Sequence, residues 1–184
     1  MNYPKNNNLY FNPVTIIQTE DWVKKTKSIL NSENSDNLLI ITSKGNNKRI
    51  NINKYFRKAT IIDNVPPNPT IQYCDTELKN IQTKEFDSII AIGGGSVMDA
   101  AKVFLAGLNL KNQTTFELIN HKKNIENNII ALFIPTTHGT GSEVTMWGTI
   151  WDMKNKNKYS ISNPGLYPTY AILDYRLTES LPIK

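Results

Sequence analysis

Short apolar runs alternate with amphipathic stretches along this chain, and the alternation predicts a layered α/β fold. Val14 to Gln18, Leu38 to Thr42, Thr60 to Val65, Asp87 to Ile92 and Ile129 to Ile134 read as strands, each a brief apolar run bounded by polar or turn residues. Asp21 to Leu30, Asp75 to Gln82 and Ser96 to Leu105 carry apolar residues at helical spacing. Strands separated by helices form a parallel sheet covered on both faces, with its ligand crevice at the carboxyl ends of the strands. Pro66-Pro67-Asn68-Pro69 predicts a stiff loop, and Asn109 to Asn128 a polar connector with one helical turn at Thr115 to Ile119. Beyond Thr145 the period changes. Gly148 to Trp151, Lys158 to Ser162 and Tyr170 to Leu173 read as short strands, with Lys154 to Asn157 as a hairpin turn. Arg176 to Leu181 reads as a turn of helix stopped by Pro182.

The candidate chemistry sits at two strand ends. After Asp87 to Ile92 the chain runs Gly93-Gly94-Gly95-Ser96-Val97-Met98-Asp99-Ala100-Ala101-Lys102. A turn without side chains lets a ligand touch the backbone, and the helix that follows points its free N–H groups at a phosphate. The string does not fit the commoner templates. Met98 breaks the GxGxxG spacing, and no Gly-Lys-Ser/Thr follows to make an NTPase loop. Ser96 is expected to cap the helix and to donate to phosphate. Asp99 and Lys102, three apart, share a helical face and are expected to pair. The second cluster is Ile134-Pro135-Thr136-Thr137-His138-Gly139-Thr140-Gly141-Ser142-Glu143-Val144-Thr145. Its hydroxyls suit ribose, phosphate and carboxamide groups, with Ser142 or Thr140 placed to cap a short helix. His138 alone is more often a structural than a proton-transfer group. His121 and Cys74 complete no metal-ligand spacing with it.

Composition narrows the function classes. The 184 residues are 39% hydrophobic with mean hydropathy −0.40, enough for one sizeable core. A net charge of +5 from scattered lysines is too mild for a nucleic-acid partner yet suits an anionic cofactor. The longest apolar run, Ile129 to Ile134, is far too short to span a bilayer, and Met1 to Pro13 has no apolar core of a secretory signal. With Cys74 as the single cysteine, no internal disulfide forms. A cytoplasmic protein without nucleic-acid or membrane partners is therefore expected.

GGGSVMDAAK and IPTTHGTGSEVT, in that order, together with KYSISNPGLYPTYAILDYRLTESLP, resemble the iron-containing (group III) alcohol dehydrogenase family over most of the chain. The resemblance implies a Rossmann-like parallel sheet with flanking helices and a C-terminal β-hairpin extension, as in the N-terminal domain of dehydroquinate synthase-like proteins. Residues 1–184 would be the dinucleotide-binding domain. It implies that Gly94, Gly95 and Ser96 hold the cofactor pyrophosphate and that Asp99 lies near the nicotinamide. Thr136, Thr137 and Thr140 would contact the adenine and ribose side, and Lys158 would reach the cofactor from the hairpin.

Three departures from the family pattern carry expectations of their own. Where the family often has a ribose-binding Asp, this chain reads Thr42-Ser43-Lys44; Ser43 beside Lys44 can accept a 2′-phosphate, making NADP(H) at least as expected as NAD(H). His138 replaces a small residue. The family's catalytic metal is held by an Asp and three His of a helical C-terminal domain, and the chain reaches Lys184 just before that Asp is expected. Iron, or another divalent metal, then belongs to the complete enzyme, and this chain alone would bind a dinucleotide without turning over alcohol. The implied substrates are small alcohols and aldehydes; Trp147 to Asp152 resembles members that reduce phosphonate aldehydes. The alternatives are a non-catalytic truncated fragment or interaction module, and a relative among the glycerol or polyol-phosphate dehydrogenases. The family usually forms homodimers through this domain, with Val14 to Gln18 as an available edge strand.

Overall fold

The computed structural model describes residues 11–179 and 181. Among them the strands are β1 (Thr15–Gln18), β2 (Leu38–Ile41), β3 (Thr60–Ile62), β4 (Ser88–Gly93), β5 (Ile130–Pro135), β6 (Trp147–Asp152), β7 (Asn157–Ser162) and β8 (Tyr170–Leu173). The helices are α1 (Trp22–Ser32), α2 (Lys44–Ile50), α3 (Ile52–Tyr55), α4 (Ile71–Ile81), α5 (Gly95–Leu110) and α6 (Thr115–Asn120). Six strands form one wholly parallel sheet in the order β1-β8-β5-β4-β2-β3, and β6 and β7 form a separate antiparallel hairpin. The α/β class and the hairpin are as the sequence pattern predicts. Tyr170–Leu173 leaves the hairpin and enters the main sheet between β5 and β1.

Burial on both faces explains why the central strands read as continuous apolar runs. Every residue of β2 and β4 is buried. Alternate side chains go to opposite sides. Leu39, Ile41, Ile89, Ala91, Ala131 and Phe133 meet α4 and α5 in one core, while Leu38, Ile40, Ile90, Ile92, Leu132 and Ile134 meet α1 and α3 in the other. Helix α5 is buried all round from Ala100 to Leu108, being enclosed by the sheet, α4, α6 and the hairpin. Full enclosure demands an almost wholly apolar helix, and Lys102 stands out within it.

Local chemistry sets the element ends. Asp21 caps α1 by accepting the Lys24 amide at 2.9 Å, and Thr70 caps α4 by accepting the Tyr73 amide at 3.1 Å. That cap starts α4 at Ile71, four residues before the expected Asp75. Helix α5 continues to Leu110, and the turn expected in the connector is α6, closed by a capping box between Thr114 and Glu117. The expected terminal turn is a 3₁₀ turn at Tyr175–Leu177 capped by Asp174; its stop at Pro182, and the first ten residues of the Met1 to Pro13 segment, lie outside the described residues. No described helix is long and apolar enough to cross a membrane.

Candidate functional site

The chain steps outward from β2 to β3 and then returns to lay β4 on the other side of β2, so the strand order reverses between β2 and β4. In open parallel sheets the ligand crevice lies at such a reversal, beyond the carboxyl ends. The glycine turn stands there. Gly94 is the N-cap of α5, in an extended conformation (φ −86°, ψ −172°), and no side chain caps the helix. Sixteen aligned peptides therefore direct a positive helix end, with the Gly95 and Ser96 amides lacking intrahelical acceptors, at the crevice.

Ser96 does not take the expected capping role, because the helix begins one residue earlier, at Gly95. Its hydroxyl instead accepts the Asn68 amide at 3.1 Å, tying the proline-rich loop to the helix start. The same loop receives the Trp151 amide on the Pro69 carbonyl at 3.0 Å. From the other side the Thr136 amide donates to the Gly93 carbonyl at 3.0 Å. A Cβ on Gly94 would lie 3.0 Å from Thr137 Oγ1, and one on Gly95 would lie 3.1 Å from Thr140 Cγ2. The two clusters, some forty residues apart in sequence, thus face each other with room for backbone only. The structure places Gly94, Gly95, Ser96, Thr136, Thr137 and Thr140 around one turn.

Asp99 and Lys102 do share a face of α5, but no direct ion pair joins them. Lys102, fully buried, donates to the Ser142 carbonyl and hydroxyl, the Thr145 hydroxyl and the Trp147 carbonyl at 2.5–3.1 Å. The Ser142 hydroxyl donates onward to Asp99 Oδ1 at 2.9 Å. The expected pair is a bridge through Ser142, since the loop supplies oxygens closer to the ammonium than the carboxylate is. Burial pushes the Lys102 ammonium down to about 8 against the pull of Asp99 and Glu143. Burial likewise raises the Asp99 carboxyl, with the Ser142 hydroxyl, the Thr149 amide, Lys102 and Lys158 opposing. Gly148 lets β6 approach: a Cβ there would sit 3.0 Å from the Asp99 carbonyl.

The remaining predicted residues lie around this centre. Lys158 on β7 is exposed, 5.5 Å above the Trp151 ring, and its charge reaches Asp99. Ser43 follows β2, beside the glycine turn, and caps α2 by accepting the Asn46 amide at 3.3 Å. Of the capping expected in the second cluster, the Thr140 hydroxyl accepts the Ser142 amide at 3.3 Å, while Gly141 is the N-cap residue proper, at φ +63°. Sequence reasoning missed a cavity of about 550 Å³ beyond the ends of β1, β5 and β8. Thr137 and His138 line it opposite Thr19, Glu20, Tyr175 and Thr178. Only the strand order could have revealed it, because β1 and β8 flank β5 in space and not in sequence.

Residues 13–175 match the family model for iron-containing alcohol dehydrogenases. The chain belongs to that family. The long-chain primary alcohol dehydrogenase AdhA of Thermoanaerobacter ethanolicus is 31% identical over 173 residues, 88% of this chain and 43% of that protein. The 4-hydroxybutyrate dehydrogenase of Clostridium kluyveri is 36% identical over 117 residues, 63% of this chain and 30% of its own length. Sulfoacetaldehyde reductase from Bifidobacterium kashiwanohense, solved in complex with NAD+, superposes with a TM-score of 0.85 at 26% identity, over 94% of this chain and 47% of that one. The chain thus spans less than half the length of each of these relatives. The family is one of oxidoreductases. The iron finds no seat among the described residues, where no group of three or more His, Cys, Asp or Glu is placed to hold a metal ion.

Proposed function

We propose that this chain is the dinucleotide-binding domain of an iron-containing alcohol dehydrogenase, serving hydride transfer between a nicotinamide and a small alcohol or aldehyde. The observation that carries the proposal is the bare cradle at the sheet reversal, where Gly94 and Gly95 face Thr137 and Thr140 at a helix end capped by no side chain. That cradle suits a pyrophosphate, whose charge the helix end and backbone amides would meet. Gly94, Gly95 and Ser96 would hold it, Thr136, Thr137 and Thr140 the adenosine side, and Asp99 and Lys158 the nicotinamide side. When bound, the nicotinamide would supply or accept the hydride. The whole residue span 1–184 would act as this one domain, with turnover requiring metal-holding groups that the described residues lack. A cytoplasmic homodimer is the assembly expected, with β1 as the outermost, largely exposed strand of the sheet.

For the substrate, an aldehyde with an anionic headgroup, phosphonate or sulfonate, is favoured over an uncharged one. The relative that reduces sulfoacetaldehyde and the net charge of +5 both support it. Titration of NADH and NADPH into the chain is expected to give saturable fluorescence enhancement. Unchanged fluorescence up to millimolar cofactor would sink the proposal.

Ser43 decides between the nucleotides. A Ser43→Asp chain is expected to keep α2, since Asp caps as well as Ser. It should bind NADPH about fivefold more weakly relative to NADH, because a carboxylate near a 2′-phosphate costs about 1 kcal/mol across water. An unchanged ratio of the two dissociation constants would remove Ser43 from the site.

A further inference from the structure

The proposed cofactor site is built from three separate segments, and one buried ammonium touches two of them from the third. Lys102 belongs to α5, the Ser142 and Thr145 groups it holds belong to the threonine- and glycine-rich loop, and the Trp147 carbonyl is the first residue of the hairpin. Its four acceptors exceed the three donors of an ammonium, so the charge is fully engaged. Asp99, one turn earlier on α5, takes a second and smaller set of links, the Ser142 hydroxyl from the loop and the Thr149 amide from the hairpin. The loop is anchored at its start by the Thr136 amide on the Gly93 carbonyl and near its end by the Asn12 side chain on the Val144 carbonyl, but its tip is open. His138, Gly139 and Thr140 are exposed, and Gly139 and Gly141 adopt positive φ values of +105° and +63° with no atoms near their Cβ positions. A glycine-hinged loop of this kind keeps Thr137 and Thr140 opposite Gly94 and Gly95 only if its far end is fixed.

Resting on the dinucleotide proposal, we propose that Lys102 is a positioning residue for the cofactor. By holding Ser142, Thr145 and Trp147 in one register against α5, it sets where Thr137 and Thr140 stand on the adenosine side and where Lys158 stands on the nicotinamide side. Ser142 is the relay that carries the same hold to Asp99. The ligand never touches the ammonium. A buried charge tolerated in an otherwise apolar helix is costly, and site geometry is the return for that cost.

The test compares wild type, Lys102→Met and Ser142→Ala by amide hydrogen exchange without ligand and by NADH and NADPH titration, with circular dichroism to confirm the fold. In Lys102→Met, exchange is expected to quicken at least tenfold in residues 142–149, with β2, β4 and β5 unchanged, and cofactor affinity to fall at least tenfold. Ser142→Ala, which removes one hydroxyl from the network, is expected to show the same pattern at about threefold. Exchange that quickens equally across the sheet would assign Lys102 to general stability and overturn the proposal. Unchanged exchange and affinity in a folded variant would overturn it also. Should Lys102→Met fail to fold, Ser142→Ala decides by the same readouts. A wild-type chain that binds neither cofactor would overturn the dinucleotide site, and with it the role of Lys102 toward a cofactor; the exchange pattern would then report only whether the loop is held.

Discussion

A Gly94→Val chain is expected to remain folded and to bind NADH and NADPH at least a hundredfold more weakly than wild type. The backbone at Gly94, with φ −86° and ψ −172°, is one that any residue adopts, so the substitution introduces no strain of its own there. The cost is spatial. The first added carbon would lie 3.0 Å from Thr137 Oγ1 and 3.2 Å from Thr137 Cγ2. The two methyls beyond it must either displace Thr137 or fill the space over the Gly95 and Ser96 amides. Either result removes contacts to the pyrophosphate, and a hundredfold loss is about 2.7 kcal/mol, the worth of one or two charge-assisted hydrogen bonds. Overpacking of this half-buried turn should lower stability by only about 1–3 kcal/mol. Fluorescence titration beside a thermal melt separates the two effects. Affinity within threefold of wild type would show that nothing binds at this turn.

How legible the site was depended on how local its determinants are. The glycine turn and the threonine cluster were readable because each sits at the end of an apolar strand run, and a strand end in a parallel sheet is where ligands gather. Lys102 shows the limit of such reasoning. Helical spacing alone pairs it with Asp99, but whether a lysine reaches its helical neighbour or a distant loop depends on which side of the helix is covered. Helix α5 is covered on every side, with Ser142 and Trp147 supplying oxygens from 40 and 45 residues away. Ser96 failed as a cap for a related reason. Gly94 takes the extended cap conformation itself, and the proline-rich loop claims the serine hydroxyl. Helices α2 and α3 were missed because helical patterns are recognised by a buried apolar stripe, and α2 buries no residue at all.

Asp174→Ala is expected to destabilise the chain by about 2–4 kcal/mol, from the loss of a buried, hydrogen-bonded carboxylate. Asp174 is 2% exposed at the end of β8. Its Oδ2 accepts the Trp22 amide at 3.1 Å and Arg176 Nη2 at 2.8 Å, and its Oδ1 accepts the Arg176 amide and Nε at 3.2 and 3.0 Å. One carboxylate therefore joins the first residue of α1, the end of β8 and the 3₁₀ turn at Tyr175–Leu177. Alanine leaves the Trp22 amide buried without an acceptor, and Trp22 packs against Phe56 and Tyr55 in the core beneath α1. A loss of this size should lower the melting temperature by roughly 4–16 °C in a chain of this length.

The same contacts give the effect a pH signature. Burial works against the ionised carboxyl, but the Arg176 hydrogen bonds, the Trp22 amide and the Arg176 charge outweigh it and hold the group below its ordinary value of 3.8. A carboxyl whose folded value is depressed adds stability in full above the unfolded value, and loses it as pH falls through the folded one. The difference in melting temperature between wild type and Asp174→Asn, which keeps the shape and removes the charge, should therefore be constant from pH 7 to about pH 5 and shrink in more acid solution. A difference that persists unchanged below pH 3, or melting temperatures within 2 °C of each other at pH 7, would show that the carboxylate is not what pins α1 to the sheet. Because Asp174, Tyr175 and Thr178 also line the cavity beside Thr137, loosening this turn should weaken NADH binding as well, in proportion to how far the dinucleotide extends past Thr137 toward β8.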